Sequence, residues 1–438
     1  MRSAAIMACA AALGLIAADA VAQPTKASAD PAAVVADVRR IIAANYVLAD
    51  IRPKLDSALA NGLAAGHYNV SDPSALADRI NVDMSAVAHD KHLGINFDPR
   101  RQTELASQPP NAGADDAVPS DEEIRQATKF NHGILEMKVL PGNIRYIDLM
   151  GFFWGGKKTA DVYDNAARFM KDGDAVVIDL RHNGGGNPDA VRYLISYFLE
   201  PGRPIVTFYM GSDRTDHRSS VASLPAERLV GKPLYVLTSG MSASAAEEFA
   251  GHVAGFKIGE VIGEKTAGAG FRDQFFPVAG GYVICVSVGR AVLASTGKDW
   301  EGVGIAPTTK VDADKALDLA QAHALRRIAA ESSGDEKRRL EAQAALLDAK
   351  VNPAATGLPA ERYAGKYDGD RLVTIEAGTL SYQRGGGPKV ALIPLGGNQF
   401  GFTEDPLSRI SFNTTGANVT ALKLVRGDGS VLDAPRAP

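Results

Sequence analysis

Apolar positions open the chain at helical spacing and change rhythm further along. Val34, Val35, Val38, Ile41 and Ile42 fall on one face of a helix. Ser71-Asp72-Pro73 supplies a cap and a first-turn proline for another, with Leu76, Ile80 and Met84 along one side. Residues 31–90 are therefore expected to be helical. His92-Leu93-Gly94-Ile95-Asn96-Phe97 alternates as a strand does. Residues 104–122 hold Pro109, Pro110, Gly113 and Pro119 among acidic and small residues, and predict a loop or linker.

Beyond that loop the pattern alternates between two periods. Two apolar runs hinged at Pro141-Gly142-Asn143 predict a hairpin over 133–149. A helix near 159–171, a strand at 175–180, a glycine turn and a helix at 188–199 follow. Next come a strand before Ser239, a helix through Glu247, Glu248 and Phe249, and strands near Val261 and over 282–288. Strands alternating with helices at this spacing predict an α/β core. Residues 311–350 read as charged helices interrupted at Ser332-Ser333-Gly334. From Tyr363 onward, short apolar runs at 372–375, 380–382, 390–393, 400–402, 410–412 and 419–424 alternate with turn residues, predicting a small antiparallel barrel or sandwich.

The expected division is a signal peptide over 1–22, a helical domain over 27–91, a core over 92–325, a helical linker over 326–355 and a β-domain over 356–438. The first segment rests on a basic start at Arg2, an apolar alanine-rich run over 4–18, and Ala20-Val21-Ala22 as a cleavage site. No later run is apolar for long enough to span a bilayer, so the expectation is an exported, periplasmic protein cut after Ala22, without a transmembrane anchor. Removing Arg2 and Asp19 leaves the net charge at −4, which gives no reason to expect nucleic acid as a partner. Of the two cysteines, Cys9 leaves with the signal peptide, and Cys285 in an apolar run is expected to be a buried thiol with no disulfide partner.

Two strand-to-helix turns carry the candidate chemistry. In Leu237-Thr238-Ser239-Gly240-Met241-Ser242-Ala243-Ser244, a strand ends and small residues open a helix. A serine there has its hydroxyl near the positive end of the helix dipole, which suits either a cap or a nucleophile whose attack creates an oxyanion. In Asp179-Leu180-Arg181-His182-Asn183-Gly184-Gly185-Gly186, glycines let backbone N–H groups approach a ligand oxygen. The turn suits an oxyanion hole, a phosphate cradle or a plain tight turn; the dinucleotide fingerprint fails at Asp189. His89 and His92 have H-x-x-H spacing, but no further ligand cluster follows, so neither metal nor cofactor is expected.

D-L-R-H-N-G-G-G followed by S-A-S-A-A-E resembles the C-terminal-processing (tail-specific) serine peptidases, and within them the branch of the tricorn core and the interphotoreceptor retinoid-binding protein modules. The resemblance covers roughly residues 30–325 and implies a crotonase-like core of ββα units. It implies Ser244 as nucleophile, with the N–H of Ala245 and that of Gly185 or Gly186 as oxyanion donors, and Ser242 as a turn serine. The branch with a Ser-Lys dyad carries its lysine where this chain has Ala269; Lys265 sits four residues earlier and is an alternative base. The tricorn-like branch uses histidine oriented by glutamate. His92, after Asp90-Lys91, and Glu301, in Trp300-Glu301-Gly302, match those motifs, although Lys91 stands where tricorn has a serine. The region between 95 and 135 is too short for the peptide-gripping PDZ domain common in the family. The resemblance thus implies an exported serine peptidase acting on peptide or protein substrates through a Ser-His-Glu site. The alternative is a carrier of apolar ligands on the same fold.

Overall fold

The computed structural model describes residues 30–107, 118–210, 214–376, 378–402 and 404–438. The signal-peptide assignment and most of the expected loop over 104–122 lie outside them.

Three helices lead: α1 (Pro31–Asn45), α2 (Arg52–Ala64) and α3 (Pro73–Ala88), each with proline in its first turn. Asp30 and Asp72 accept from the amides of Ala32 and Ala75, capping α1 and α3. Strand β1 (Gly94–Phe97) and helix α4 (Pro99–Ala106) follow, so helix persists where the loop was expected to begin at 104. The cause is Asp98, whose carboxylate accepts from the Arg101 amide at 3.0 Å. Helix α5 (Asp121–Lys129) then starts on a capping box between Ser120 and Glu123.

The central segment runs β2 (Ile134–Leu140), β3 (Ile144–Leu149), α6 (Lys157–Lys171), β4 (Ala175–Asp179), α7 (Pro188–Ser196), β5 (Pro204–Met210), β6 (Arg214–Ser219), β7 (Leu234–Thr238), α8 (Ala245–Phe256), β8 (Glu260–Gly263), β9 (Phe271–Val278), β10 (Tyr282–Leu293) and β11 (Thr309–Lys310). Six strands form one sheet in the order β11-β8-β7-β4-β3-β2, parallel except for the β2 edge. Its inner strands are buried on both faces, as parallel strands under helices are. Val176, Ile178, Leu234 and Val236 pack with α6, α7 and α8. Val177, Tyr235 and Leu237 pack on the opposite face with α9 (Ala316–Glu331) and α10 (Gly334–Val351). The helix break falls at Ser332-Ser333, so the boundary expected at 326 lies inside α9, a helix packed on the sheet.

A second sheet joins β1, β10, β5 and β6, with β9 on β10. Val278, Tyr282, Ile284, Val286 and Val288 share one core with α1, α2 and α3, so the leading helices close over this sheet and not over themselves alone. Residue Cys285 is buried, and its Sγ donates to Asp273 Oδ2 at 3.0 Å.

After the short α11 (Ala360–Tyr363), β12 (Gly365–Tyr367), β13 (Arg371–Glu376), β14 (Thr379–Arg384), β15 (Val390–Gly396), β16 (Gln399–Phe402), β17 (Arg409–Thr415), β18 (Asn418–Val425) and β19 (Val431–Pro435) pair in chain order. A bridge between Tyr367 and Arg436 brings the two ends of this antiparallel sheet together, so it is nearly closed. Tyr363, Tyr367, Phe400 and Phe412 fill its interior.

Candidate active site

Strands β4 and β7 are parallel neighbours, so the loops leaving their C-terminal ends emerge side by side, where open α/β sheets place ligands. Serines stitch the two loops together. Ser239 Oγ donates to the Arg181 carbonyl at 2.5 Å, and Ser242 Oγ to that of Leu180 at 2.7 Å. The Ala243 amide donates to the Asn183 carbonyl at 3.1 Å. Ser242 is therefore a structural turn residue. His182, in the same loop, is exposed.

Ser244 stands where this loop enters α8, with φ +52° and ψ −117°. A side-chain-bearing residue holds such a backbone only when its surroundings fix it. The other loop presses directly on it. A Cβ on Gly185 (φ +116°) would lie 2.8 Å from Ser244 Cβ, and one on Gly186 (φ +138°) 2.3 Å from the Phe152 carbonyl oxygen. Only glycine fits either position. Gly185's own N–H is committed to Asn183 Oδ1 at 2.9 Å, whereas those of Gly186 and Ala245 have no acceptor among the described residues. Of the two glycine donors anticipated from sequence, Gly186 is the one whose N–H is unengaged.

Sequence reasoning gave Glu247 no role, yet it organises this corner. Fully buried in the first turn of α8, it accepts from Ser244 N at 2.9 Å, Thr266 Oγ1 at 2.5 Å, Gly268 N at 2.6 Å and Ala269 N at 2.7 Å. Four donors and the helix N-terminus compensate a buried carboxylate without a cation. The signal was present: a glutamate three residues after a helix-opening serine reads as a capping box. What the sequence did not give was the second loop that it grips.

That loop leads to the remaining candidates. Glu301 Oε2 accepts from Gly270 N at 2.6 Å and Phe271 N at 2.9 Å, immediately after the residues held by Glu247. Burial first, then the charge of Asp90, pushes the Glu301 carboxyl above its ordinary value, against the two amides and the field of His92. His92 is buried at 5% exposure, its backbone N–H donates to Asp90 Oδ1 at 2.8 Å, and its Nδ1 has no hydrogen-bond partner among the described residues. Glu301, His92 and Asp90 thus share one electrostatic neighbourhood, while no hydrogen bond joins the His92 ring to Glu301 or Ser244 among the described residues. Tyr46, at the end of α1, faces the same group. Its phenol is buried beside Asp90, and burial first, then the charge of Asp90 and its acceptor oxygens, push its pKa up. Lys91 Nζ donates to the Ala267 carbonyl, tying the histidine's segment to the Glu247-held loop. Lys265 is exposed, and Ala269 is buried.

Among the described residues, no group of three or more histidine, cysteine, aspartate or glutamate side chains gathers to hold a metal, and no helix is long and apolar enough to cross a membrane.

Residues 143–311 match the model of peptidase family S41, and residues 22–136 that of the N-terminal domain of peptidase S41 in eukaryotic IRBP. The chain belongs to peptidase family S41. Its S41 segment contains the glycine turn, Ser244 and Glu301, while His92 comes from the segment matching the N-terminal model. Among curated relatives, a probable CtpA-like serine protease of Staphylococcus aureus is 27% identical over 158 residues, 36% of this chain and 31% of that protein. One of Staphylococcus epidermidis is 26% identical over 140 residues, 32% and 28% respectively. The match therefore spans less than a third of the length of these relatives. Among solved structures, the photosystem II D1 C-terminal processing protease is 17% identical, with TM-score 0.42, covering 64% of this chain and 92% of that one. The tricorn protease is 11% identical, with TM-score 0.38, covering 64% and 34%.

Proposed function

We propose that this S41 chain is an exported serine peptidase with a crotonase-like core and a Ser-His-Glu site made of Ser244, His92 and Glu301. Export rests on the basic, apolar and A-x-A pattern of residues 1–22. The observation that carries the activity is the backbone of Ser244, held at positive φ against Gly185 with the unengaged N–H groups of Ala245 and Gly186 beside it. A capping serine needs none of that, and neither does a carrier of apolar ligands.

In this reading Ser244 Oγ attacks the carbonyl carbon of a peptide bond. His92 takes the hydroxyl proton and returns it to the departing amine, and Glu301 orients the imidazole and stabilises its cationic form. The Ala245 and Gly186 amides hold the oxyanion at the N-terminus of α8; losing one such donor costs on the order of 100-fold or more in rate. Water then releases the acyl group by the same proton route. The peptide-binding partner is a peptide or protein.

A fluorophosphonate probe tests the nucleophile. The full-length protein is expected to be labelled at Ser244, and Ser244→Ala to lose labelling with its melting temperature retained. Undiminished labelling of the variant would overturn the assignment.

A further inference from the structure

The parallel sheet that carries Ser244 ends on an open strand. Among the described residues β2 is an edge of that sheet, paired with β3 alone. Beyond those bonds, among the described residues, its backbone gains one side-chain partner, Asn131 Nδ2 donating to the Ile134 carbonyl at 2.8 Å. Apolar side chains stand in solvent along it, with Leu135 at 60%, Met137 at 38% and Val139 at 54% exposure. Between them lie Glu136 and Lys138, paired with each other at 2.7 Å. An edge strand with this much apolar exposure is a template for another strand.

The sequence Leu135-Glu136-Met137-Lys138-Val139 is complementary to itself read backwards. In antiparallel pairing centred on Met137, Glu136 of one copy meets Lys138 of the other, and Lys138 meets Glu136. Leu135 falls opposite Val139. Shifting the centre to Glu136 or Lys138 sets like charges directly opposite, which is unfavourable. Charge therefore selects one register, and that register is two-fold symmetric, as an isologous interface requires. The bulge between Ile134 and Glu136 ends the regular ladder at that side and confines the pairing to this short stretch.

We infer that the protein self-associates through β2, a second copy adding antiparallel at Met137 so that the two six-stranded sheets become continuous. The internal Glu136–Lys138 pair that keeps the free edge neutral becomes two reciprocal pairs across the two-fold. Glu136 and Lys138 are both partly exposed and touch neither Ser244 nor its neighbours, so association leaves the proposed active site complete in each copy.

Sedimentation velocity of the full-length protein, from about 1 to about 100 µM, reads the association directly. A concentration-dependent dimer is expected. Glu136→Lys alone, and Lys138→Glu alone, set like charges opposite each other twice and should weaken the dimer about tenfold or more. The double swap, Glu136→Lys with Lys138→Glu, restores opposite charges in the same register and should recover it. A monomer throughout, or a dimer indifferent to the single reversals, overturns the inference; so does a β2 that accepts an added extended peptide while the protein stays monomeric. Should a reversal unfold the chain, Met137→Cys decides the matter. Residue 137 meets itself at the two-fold, where paired Cα atoms are about 4.5–5.5 Å apart and within disulfide reach. Mild oxidation should yield a covalent dimer, and its absence contradicts the register.

Discussion

At the scale of single residues, the site combines groups that disfavour their own folded state. Glu301 holds its proton more tightly in the folded chain than the 4.5 of a free carboxyl, because burial and Asp90 both oppose its charge. The sign follows from linkage. The folded state binds more protons than the unfolded state between the two values, so the stability this group confers is present below the unfolded value and is lost as pH rises through the folded one. Glu301→Gln removes that titration. Denaturant unfolding from about pH 4 to about pH 8 should therefore show the variant gaining stability relative to the parent as pH rises. Probe labelling should fall by roughly 10³–10⁴-fold, since the imidazole loses its orienting charge. A variant that loses relative stability with rising pH would mean that Glu301 is held as a favourable anion, and the account of its surroundings would be wrong.

At the scale of elements, the helix that Ser244 opens and the loop leading to Glu301 are joined through Glu247. Replacing it with glutamine turns one acceptor oxygen into a donor facing donors, at either the Thr266–Gly268 side or the Ser244–Ala269 side. The expected cost is about 2–5 kcal/mol of stability, read as a lowered denaturant midpoint, together with slower labelling of Ser244. An unchanged midpoint would show the carboxylate dispensable. The same residue marks where sequence reading stops. Periodicity anticipated the β2–β3 hairpin, α6, β4, α7 and the β7-to-α8 turn, because each has an apolar pattern of its own. It passed over β6, whose Arg214-Thr215-Asp216-His217-Arg218-Ser219 has no apolar residue and is a strand only by pairing with β5. It also passed over β9, where Arg272, Asp273 and Gln274 interrupt the apolar positions. For the site, motifs picked out Ser244, the glycines, His92 and Glu301. Tyr46 and Glu247 act through residues far along the chain, and no local pattern signals such partners. The choice between Gly185 and Gly186 likewise depended on where Asn183 points.

For the whole molecule, the question is how the nearly closed C-terminal sheet is attached to the rest. Helix α10 has two apolar faces. Leu340, Ala344 and Leu347 join the core beneath the parallel sheet, whereas Leu346 and Ala349 pack against Ile393 of β15. The second contact is small and depends on close approach. A Cβ on Gly401 of β16 would lie 2.2 Å from Leu346 Cδ2, so the leucine sits directly on the strand backbone. Leu346 is 3% exposed, and truncating a leucine so buried ordinarily costs about 2–5 kcal/mol. Here the loss falls on the coupling between two bodies that each keep their own core. Leu346→Ala should therefore let the C-terminal sheet unfold by itself. Calorimetry is expected to resolve an earlier transition, hydrogen exchange in β15 and β16 to accelerate, and Ser244 labelling to stay at the parental rate, since the site draws on a separate core. If the variant instead melts in one transition and labelling falls with it, the two bodies are a single cooperative unit, and α10 is part of the framework that holds Ser244.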